Sequence, residues 1–194
     1  MKISFDDISL AAQKMGIEPC ALYALCVVES SGDGFLPDGR PKILFEAHIF
    51  WRELKNMGWN PAQIQLHHPT ILSPKWTKAY YKGGAKEYDR LNEACLINEE
   101  AALKSCSFGL WQIMGFNYEV CGFKSVFDFV AAMNHDYSGQ MDALYGFLKN
   151  NGILPYLKAK NWREVAKRYN GSGYEANAYH TKLGNAYNKC KAGK

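Results

Sequence analysis

The stretch "CVVESSGDGF", residues 26–35, places one carboxylate, Glu29, at the end of an apolar helical run. Leu22, Leu25 and Cys26 precede it by seven, four and three residues, which puts all four side chains on one helix face. A carboxylate on a face that packs against protein is poorly hydrated, and the negative end of the helix dipole lies beside it. Both effects raise its pKa. The pattern therefore favours an acid that stays protonated near neutral pH and can donate its proton, as the cleavage of a glycosidic bond requires.

A structural role for Glu29 is the alternative, because helix ends commonly carry half-exposed acids that cap a loop amide. Two later segments bear on this choice, "SFGLWQIMG" at 107–115 and "KRYNGSGY" at 167–174. A glycine in the first segment suits a tight turn that lets backbone approach a ligand. A phenol from the second could orient the proton of an acid without adding charge. Each segment alone has an ordinary explanation, so the catalytic interpretation depends on their occurring together.

In this order, the three segments resemble the signature blocks of the goose-type lysozyme and soluble lytic transglycosylase clan. Those blocks are a helix that ends in Glu-Ser, then S-x-G-L-M-Q-I, then A-Y-N-x-G. The longer stretch "VESSGDGFLPDGRPKILFEAHIFW" is similar to the N-acetylmuramidase domain in endolysins of bacteriophages that infect Gram-negative bacteria. The resemblance spans about residues 10–190 and gives Glu29 the position of the catalytic acid. It implies a lysozyme-like, mainly α single domain over residues 1–194, without a separate wall-binding module.

The resemblance also implies roles for residues of the second and third blocks. Ser107 and Gln112 match cleft residues that contact sugar. Tyr169 and Asn170 match the third block, in which the tyrosine hydroxyl reaches toward the catalytic glutamate. Among the tryptophans, Trp111 is the best candidate for stacking on a sugar face, although a tryptophan in a core is commoner.

A second carboxylate is harder to assign from the sequence. Glu46 lies among apolar residues in "ILFEAH", and a carboxylate in such surroundings is either paired or functional. A salt bridge to Arg40 or Arg52 would give it a purely structural role. We favour Glu46 as the second carboxylate because its segment is the part most similar to the endolysin domain. Asp33 and Asp38, each next to a glycine, are better explained as turn formers.

The resemblance implies cleavage of the β-1,4 bond between N-acetylmuramic acid and N-acetylglucosamine in peptidoglycan, which leads to lysis of the host cell. Met114 stands where goose-type lysozymes carry an aspartate, as in the transglycosylases, which leave 1,6-anhydromuramic ends. We nevertheless predict hydrolysis, with Glu46 holding or activating the water, because the endolysin-like stretch is longer and more specific. The alternatives are a lytic transglycosylase and a peptidoglycan-binding module without activity. A pure binder has no use for an acid on an apolar face.

Composition limits the possible partners and locations. The 194 residues are 47% hydrophobic, enough for the core of one domain, and a net charge of +4 permits an acidic partner such as a bacterial wall. No apolar run approaches the roughly 20 residues of a membrane span, and Asp6 and Asp7 stand where a signal peptide would be apolar. We expect a monomer that binds glycan strands of peptidoglycan, with no nucleic acid partner and no membrane insertion. We expect synthesis in the host cytoplasm and action in the periplasm after membrane permeabilisation, as for a phage lysis enzyme; a secreted toxin is the competing context.

Metal and thiol chemistry find little support in the sequence. The five histidines show no HExxH or comparable spacing, so neither a metal nor a cofactor is expected. The six cysteines form no CxxC pair, and we predict reduced thiols, several of them buried, rather than a disulfide framework.

Helices must hold these segments. Ser4 with Asp7 predicts a capped first helix, Glu18-Pro19 predicts the start of the helix that ends at Glu29, and residues 42–45 are predicted to be extended. The segment "LWQIMG" is predicted to form one or two buried helical turns. Further helices are predicted from about His48 and at about 85–104, 125–135, 138–150, 161–169 and 175–190. The fold class is therefore mainly α, with one small β element.

Overall fold

A computed structural model describes residues 3–30 and 33–193 of the chain. Within these residues 61% helix and a small three-stranded sheet confirm the mainly α fold class. The α-helices are α1 (Phe5–Met15), α2 (Pro19–Glu29), α3 (Ala47–Asn56), α4 (Pro61–Gln65), α5 (Glu87–Lys104), α6 (Val126–His135), α7 (Tyr137–Asn150), α8 (Leu154–Lys158), α9 (Trp162–Asn170) and α10 (Tyr179–Lys191). The strands are β1 (Ile43–Phe45), β2 (Cys106–Phe108) and β3 (Ile113–Met114).

The ends of the first two helices follow the predicted caps. The Ser4 side chain accepts a hydrogen bond from the Asp7 N–H at 3.1 Å, and the Asp7 carboxylate accepts one from the Ser4 N–H at 3.0 Å. Gly16, with φ 63°, ends α1 in the left-handed conformation that glycine adopts readily. Proline at the first position of α2 loses no helical hydrogen bond, and the helix ends at Glu29 as predicted. Local sequence therefore places the predicted acid at the last residue of α2.

The three strands form one antiparallel sheet in the order β1-β2-β3. Ser107 in β2 lies opposite Leu44 of β1 and Met114 of β3. The prediction of helical turns for "LWQIMG" is wrong, since this segment completes a turn and enters β3. Gly109 (φ 72°) and Gln112 (φ 49°) both adopt left-handed backbone and reverse the chain. A short apolar run does not distinguish a buried strand from a buried helical turn.

Helix α5 is interrupted at Asn98, which the predicted continuous helix at 85–104 does not anticipate. Its backbone is extended (φ −158°, ψ 108°) between two helical segments. Its side chain accepts a hydrogen bond from the Ala101 N–H at 2.9 Å, as an N-cap residue does for a new helix. The amphipathic pattern extends through the interruption because both segments pack on the same core.

The core is built mainly from apolar side chains of α1, α2, α3, α5, α6 and α7, together with residues of β1 and β2. Leu22 and Leu25 of α2, Phe50 of α3 and Phe129 of α6 are completely buried. Helix α10 packs along α2 and α9, so the C-terminal helix lies against the helix that carries Glu29. None of the described helices is long and apolar enough to cross a bilayer.

A disulfide joins Cys20 of α2 to Cys190 of α10. The prediction of reduced thiols is wrong for this pair, because the packing of α10 on α2 brings together two residues 170 positions apart. A crosslink between such distant residues typically stabilises a fold by about 2–4 kcal/mol. Cys26, Cys106 and Cys121 are free and buried, as predicted for several of the thiols.

Candidate active site

Glu29 is partly buried at the end of α2 and is held by one hydrogen bond from α9. The Asn170 amide Nδ2 donates to Glu29 Oε1 at 2.9 Å. Burial raises the pKa of Glu29, and the hydrogen bond from Asn170 and the positive charge of Lys182 offset only part of this rise. The predicted direction of the pKa shift is therefore confirmed, with loss of hydration as its main cause.

The contact with Asn170 distinguishes the two oxygens of Glu29. An amide N–H donor needs an acceptor, so Oε1 suits the carbonyl oxygen of a protonated acid and Oε2 suits its hydroxyl. Asn170 is the last residue of α9, and Gly171 then leaves the helix with φ 76°. The chain reversal after α9 therefore leaves the Asn170 side chain at the helix end, where it meets the end of α2.

Tyr169 lies near Glu29 but does not make the contact expected of it. Its ring packs edge-on against Phe147 at 5.8 Å between centroids. Burial, and secondarily the negative charge of Glu29, hold the pKa of the Tyr169 phenol far above its ordinary value. In the described part of the chain, the third block reaches Glu29 by the Asn170 amide, with no hydrogen bond from the Tyr169 hydroxyl. Tyr169 therefore contributes packing and low polarity around the acid.

Ser107 and Gln112 are brought together and hold the turn of the second block. The Ser107 hydroxyl donates to Gln112 Oε1 at 3.0 Å. The Gln112 amide donates to the carbonyl oxygens of Gly109 at 2.8 Å and Lys42 at 3.1 Å, which ties the turn to the residue before β1. The left-handed backbone of Gln112 is strained for a residue with a Cβ, by about 1–3 kcal/mol, and such strain is typical of functional sites.

Trp111 belongs to the core, which corrects its prediction as a sugar-stacking residue. Only 4% of its surface is exposed, so neither ring face is open to a ligand. Its indole N–H faces the Cys26 thiol without a hydrogen bond of good geometry to any described residue. Because Cys26 lies one turn before Glu29, Trp111 instead packs the second block against the helix that carries the acid.

Gln140 of α7 is a buried positioning residue that the sequence analysis missed. Its Oε1 accepts a hydrogen bond from the Leu110 N–H at 2.8 Å, and its Nε2 donates to the Met133 carbonyl at 3.2 Å. The side chain also lies against Gly34 and Gly109, where a Cβ would approach its amide to 2.6 Å. Because both glycines lack a Cβ, the loop after Glu29 and the turn after β2 can both pack against the Gln140 amide. A glutamine on the apolar face of α7 was the only sequence signal.

Glu46 follows β1 directly and occupies the N-cap position of α3. Only 14% of its side chain is exposed. The Tyr81 hydroxyl lies 2.7 Å from both carboxylate oxygens and donates to them, and His48 Nδ1 lies 3.3 Å from Oε2. Glu46 is therefore a nearly buried carboxylate whose described partners are a phenol and an imidazole.

The salt bridges that would have given Glu46 a purely structural role are not formed. Arg40 pairs with Asp38 at 2.6 Å, and Arg52 pairs with Glu53 at 2.7 Å. Asp38 also accepts a hydrogen bond from the Arg40 N–H at 3.1 Å, which makes it the turn former that was predicted. Glu46 is thus left without an arginine partner among the described residues.

A buried ion pair in α5, also missed in the sequence, supports the segments around Glu46. Glu87 and Arg90 are 0% and 1% exposed and lie 2.8 Å apart. Glu87 accepts hydrogen bonds from the N–H groups of Lys82, Gly83 and Phe45. Arg90 donates to the Phe45 carbonyl at 2.8 Å. The pair therefore links the end of β1 to the loop before α5.

The predicted site residues fall into three groups in the structure. The first is Glu29, hydrogen-bonded by Asn170, with Tyr169 nearby. The second is Ser107 with Gln112. The third is Glu46, whose partners Tyr81 and His48 were not predicted. The second group connects to the third through β1, where Leu44 pairs with Ser107 two residues before Glu46. No hydrogen bond joins the carboxylates of Glu29 and Glu46 within the described residues.

Comparison with known proteins places the chain in a family. The family model for N-acetylmuramidase matches residues 18–191. The crystal structure of the Burkholderia AP3 phage endolysin is similar to this chain, with a TM-score of 0.88 and 36% sequence identity over 97% of this chain and 71% of that one. A comparison with curated proteins finds no match. Because the family model covers most of its length, the chain belongs to the N-acetylmuramidase family and is a peptidoglycan-degrading enzyme.

Proposed function

We propose that this protein is an endolysin that cleaves the β-1,4 bond between N-acetylmuramic acid and N-acetylglucosamine, with Glu29 as its general acid. The observation that carries the proposal is the partly buried Glu29 carboxyl, whose pKa is raised and whose Oε1 is occupied by the Asn170 amide. Glu29 Oε2 donates its proton to the glycosidic oxygen while the departing muramoyl centre acquires oxocarbenium character. The apolar surroundings keep the proton on Glu29 until a substrate oxygen accepts it.

Glu46 holds or activates the water that completes hydrolysis. Its low exposure and its hydrogen bond from Tyr81 support this role, since both hold the carboxylate in one orientation. Met114 in β3 favours the alternative, a lytic transglycosylase, because that class lacks the aspartate of goose-type lysozymes. In a transglycosylase the 6-hydroxyl of muramic acid attacks, and no second carboxylate is needed.

The products distinguish the two reactions. We expect digested peptidoglycan to carry muramic acid at its new reducing ends, which borohydride converts to muramitol and mass spectrometry then identifies. Glu46→Gln is expected to lower this activity strongly, because the water loses its base. New ends lighter by one water and resistant to borohydride are 1,6-anhydro ends and would establish the transglycosylase. New glucosaminitol ends would show that the other glycosidic bond is cut.

The likeness to a phage endolysin supports a proposal for the biological setting. The protein is made in the cytoplasm of an infected cell and reaches peptidoglycan in the periplasm after the membrane is permeabilised, which leads to host lysis. A holin gene beside the coding sequence supports this setting, whereas a neighbouring immunity gene would indicate a secreted antibacterial toxin.

A further inference from the structure

We propose that Tyr81 is a positioning residue for Glu46, and that the buried Glu87–Arg90 pair holds the two in register. This inference rests on the proposed function, in which Glu46 holds the attacking water. Tyr81 lies in an irregular loop that precedes α5 and carries none of the signature blocks, so no sequence pattern selects it.

The geometry of the Tyr81 hydroxyl limits how Glu46 can turn. The hydroxyl is 2.7 Å from each carboxylate oxygen, a distance typical of a strong O–H···O⁻ hydrogen bond. One proton shared between both oxygens places the phenol on the axis of the carboxylate and opposes rotation about the last side-chain bond. His48 Nδ1, 3.3 Å from Oε2, is the second contact on that carboxylate. The remaining acceptor capacity of both oxygens is available to a water molecule.

The Tyr81 hydroxyl is protonated at neutral pH and can donate a hydrogen bond. Burial, and then the hydrogen bond to Glu46, raise the pKa of Tyr81 to about 12. The hydroxyl therefore keeps its proton at neutral pH and donates it to Glu46 as a hydrogen bond.

The Glu87–Arg90 pair ties together the segments that supply the two partners. Tyr81 and Glu46 are 35 residues apart in sequence, so their contact depends on how loop and strand are joined. Glu87 accepts from the N–H groups of Phe45, next to Glu46, and of Lys82, next to Tyr81. Each donor is the chain neighbour of one partner. A single buried carboxylate thus sets the spacing between Glu46 and Tyr81.

Arg90 also contacts both segments, the strand that precedes Glu46 and the ring of Tyr81. It donates to the Phe45 carbonyl at 2.8 Å, and its guanidinium lies 5.9 Å from the centre of the Tyr81 ring. A cation at this distance from an aromatic ring is attracted to the ring face. The ring and the strand are therefore both held by the pair, while the Tyr81 hydroxyl remains directed at Glu46.

The consequence for catalysis is a change in rate rather than in binding. Without the hydroxyl, Glu46 can rotate and the water loses its alignment with the anomeric carbon. A misplacement of about 1 Å lowers rates by about 100-fold. Tyr81→Phe is therefore expected to lower kcat by about 10- to 100-fold and to leave KM within about twofold, because the ring and the cleft surface remain.

The test measures new reducing ends formed on soluble glycan strands by the full-length protein and by Tyr81→Phe, Glu46→Gln and the double variant. Tyr80→Phe is the matched control, since the Tyr80 hydroxyl makes no hydrogen bond to the described residues and its removal is expected to leave kcat unchanged. Thermal unfolding is recorded for each variant. If Tyr81 acts through Glu46, Tyr81→Phe lowers kcat in the wild-type background and has little further effect in Glu46→Gln.

The outcomes separate this inference from the proposed function. Full activity of Glu46→Gln would remove Glu46 as the second carboxylate and with it the role of Tyr81. A crippled Glu46→Gln beside an unaffected Tyr81→Phe would overturn the role of Tyr81 alone. Equal losses from Tyr81→Phe in both backgrounds would show that it does not act through Glu46. A Tyr81→Phe protein that loses its fold, or whose lost rate merely follows lost stability, would make Tyr81 a structural residue.

Discussion

Glu29→Gln is expected to lower the rate of peptidoglycan cleavage by about 10²- to 10⁴-fold, the usual contribution of a general acid. Glutamine has nearly the same shape, and its side-chain oxygen can still accept the hydrogen bond that Asn170 donates to Glu29 Oε1 at 2.9 Å. What the variant lacks is a proton that it can give to the glycosidic oxygen. Release of soluble fragments from sacculi, followed over time, measures the loss.

The stability of Glu29→Gln distinguishes a catalytic acid from a structural one. The pKa of Glu29 is higher in the folded protein than in the unfolded chain. Glu29 therefore contributes stability that is fully present below the ordinary Glu pKa and is lost as pH rises through the raised pKa. At neutral pH the Glu29→Gln protein is therefore expected to unfold at the same temperature as wild type or higher.

Glu99→Gln, at an exposed position of α5, is the control and is expected to leave the rate of cleavage unchanged. A folded Glu29→Gln protein that lyses permeabilised Gram-negative cells at the wild-type rate would exclude Glu29 as the acid.

Arg90→Met is expected to lower the free energy of unfolding by about 3–5 kcal/mol, the usual result of removing one partner of a buried ion pair. Glu87, which is completely buried, would be left without its countercharge. The Phe45 carbonyl would lose its bond from Arg90 Nη1, and the Thr70 carbonyl would lose the donor at 3.0 Å. Urea unfolding of both proteins measures the difference.

Two further variants make this result specific to the pair. Glu87→Gln combined with Arg90→Met is expected to be less destabilising than Arg90→Met alone, because no unpaired charge is buried. Glu100→Gln breaks the ion pair between Lys104 and the Glu100 carboxylate, which is about half exposed. This change is expected to alter the free energy of unfolding by less than about 1 kcal/mol. An Arg90→Met protein within about 1 kcal/mol of wild type would show that the pair contributes little to holding β1 and the loop.

The features predicted correctly from sequence are those set by neighbouring residues. The cap at Ser4, the stop at Gly16 and the proline start of α2 depend on side chains within one turn, so the position of Glu29 at the helix end was predictable. The raised pKa of Glu29 was predictable as well, because the apolar face that buries it is visible in the helical spacing.

The features that were missed depend on contacts between distant segments. The Cys20–Cys190 disulfide needs α10 to lie along α2, and no spacing rule reveals that packing. The prediction of Trp111 as a ligand residue is wrong because exposure cannot be read from a short apolar block. Tyr81 and Glu46 are 35 residues apart, and their contact joins a loop to the end of a strand.

The most direct test of the account is the pKa of Glu29 itself. In protein with ¹³C-labelled glutamate side chains, the carboxyl resonance that disappears in Glu29→Gln is followed by NMR through a pH titration. We expect a midpoint clearly above the ordinary Glu value of about 4.3, since burial disfavours the charged form. We also expect cleavage to fall as pH rises through the pKa measured with substrate bound. A midpoint at or below the ordinary value would contradict the assignment of Glu29 as the proton donor.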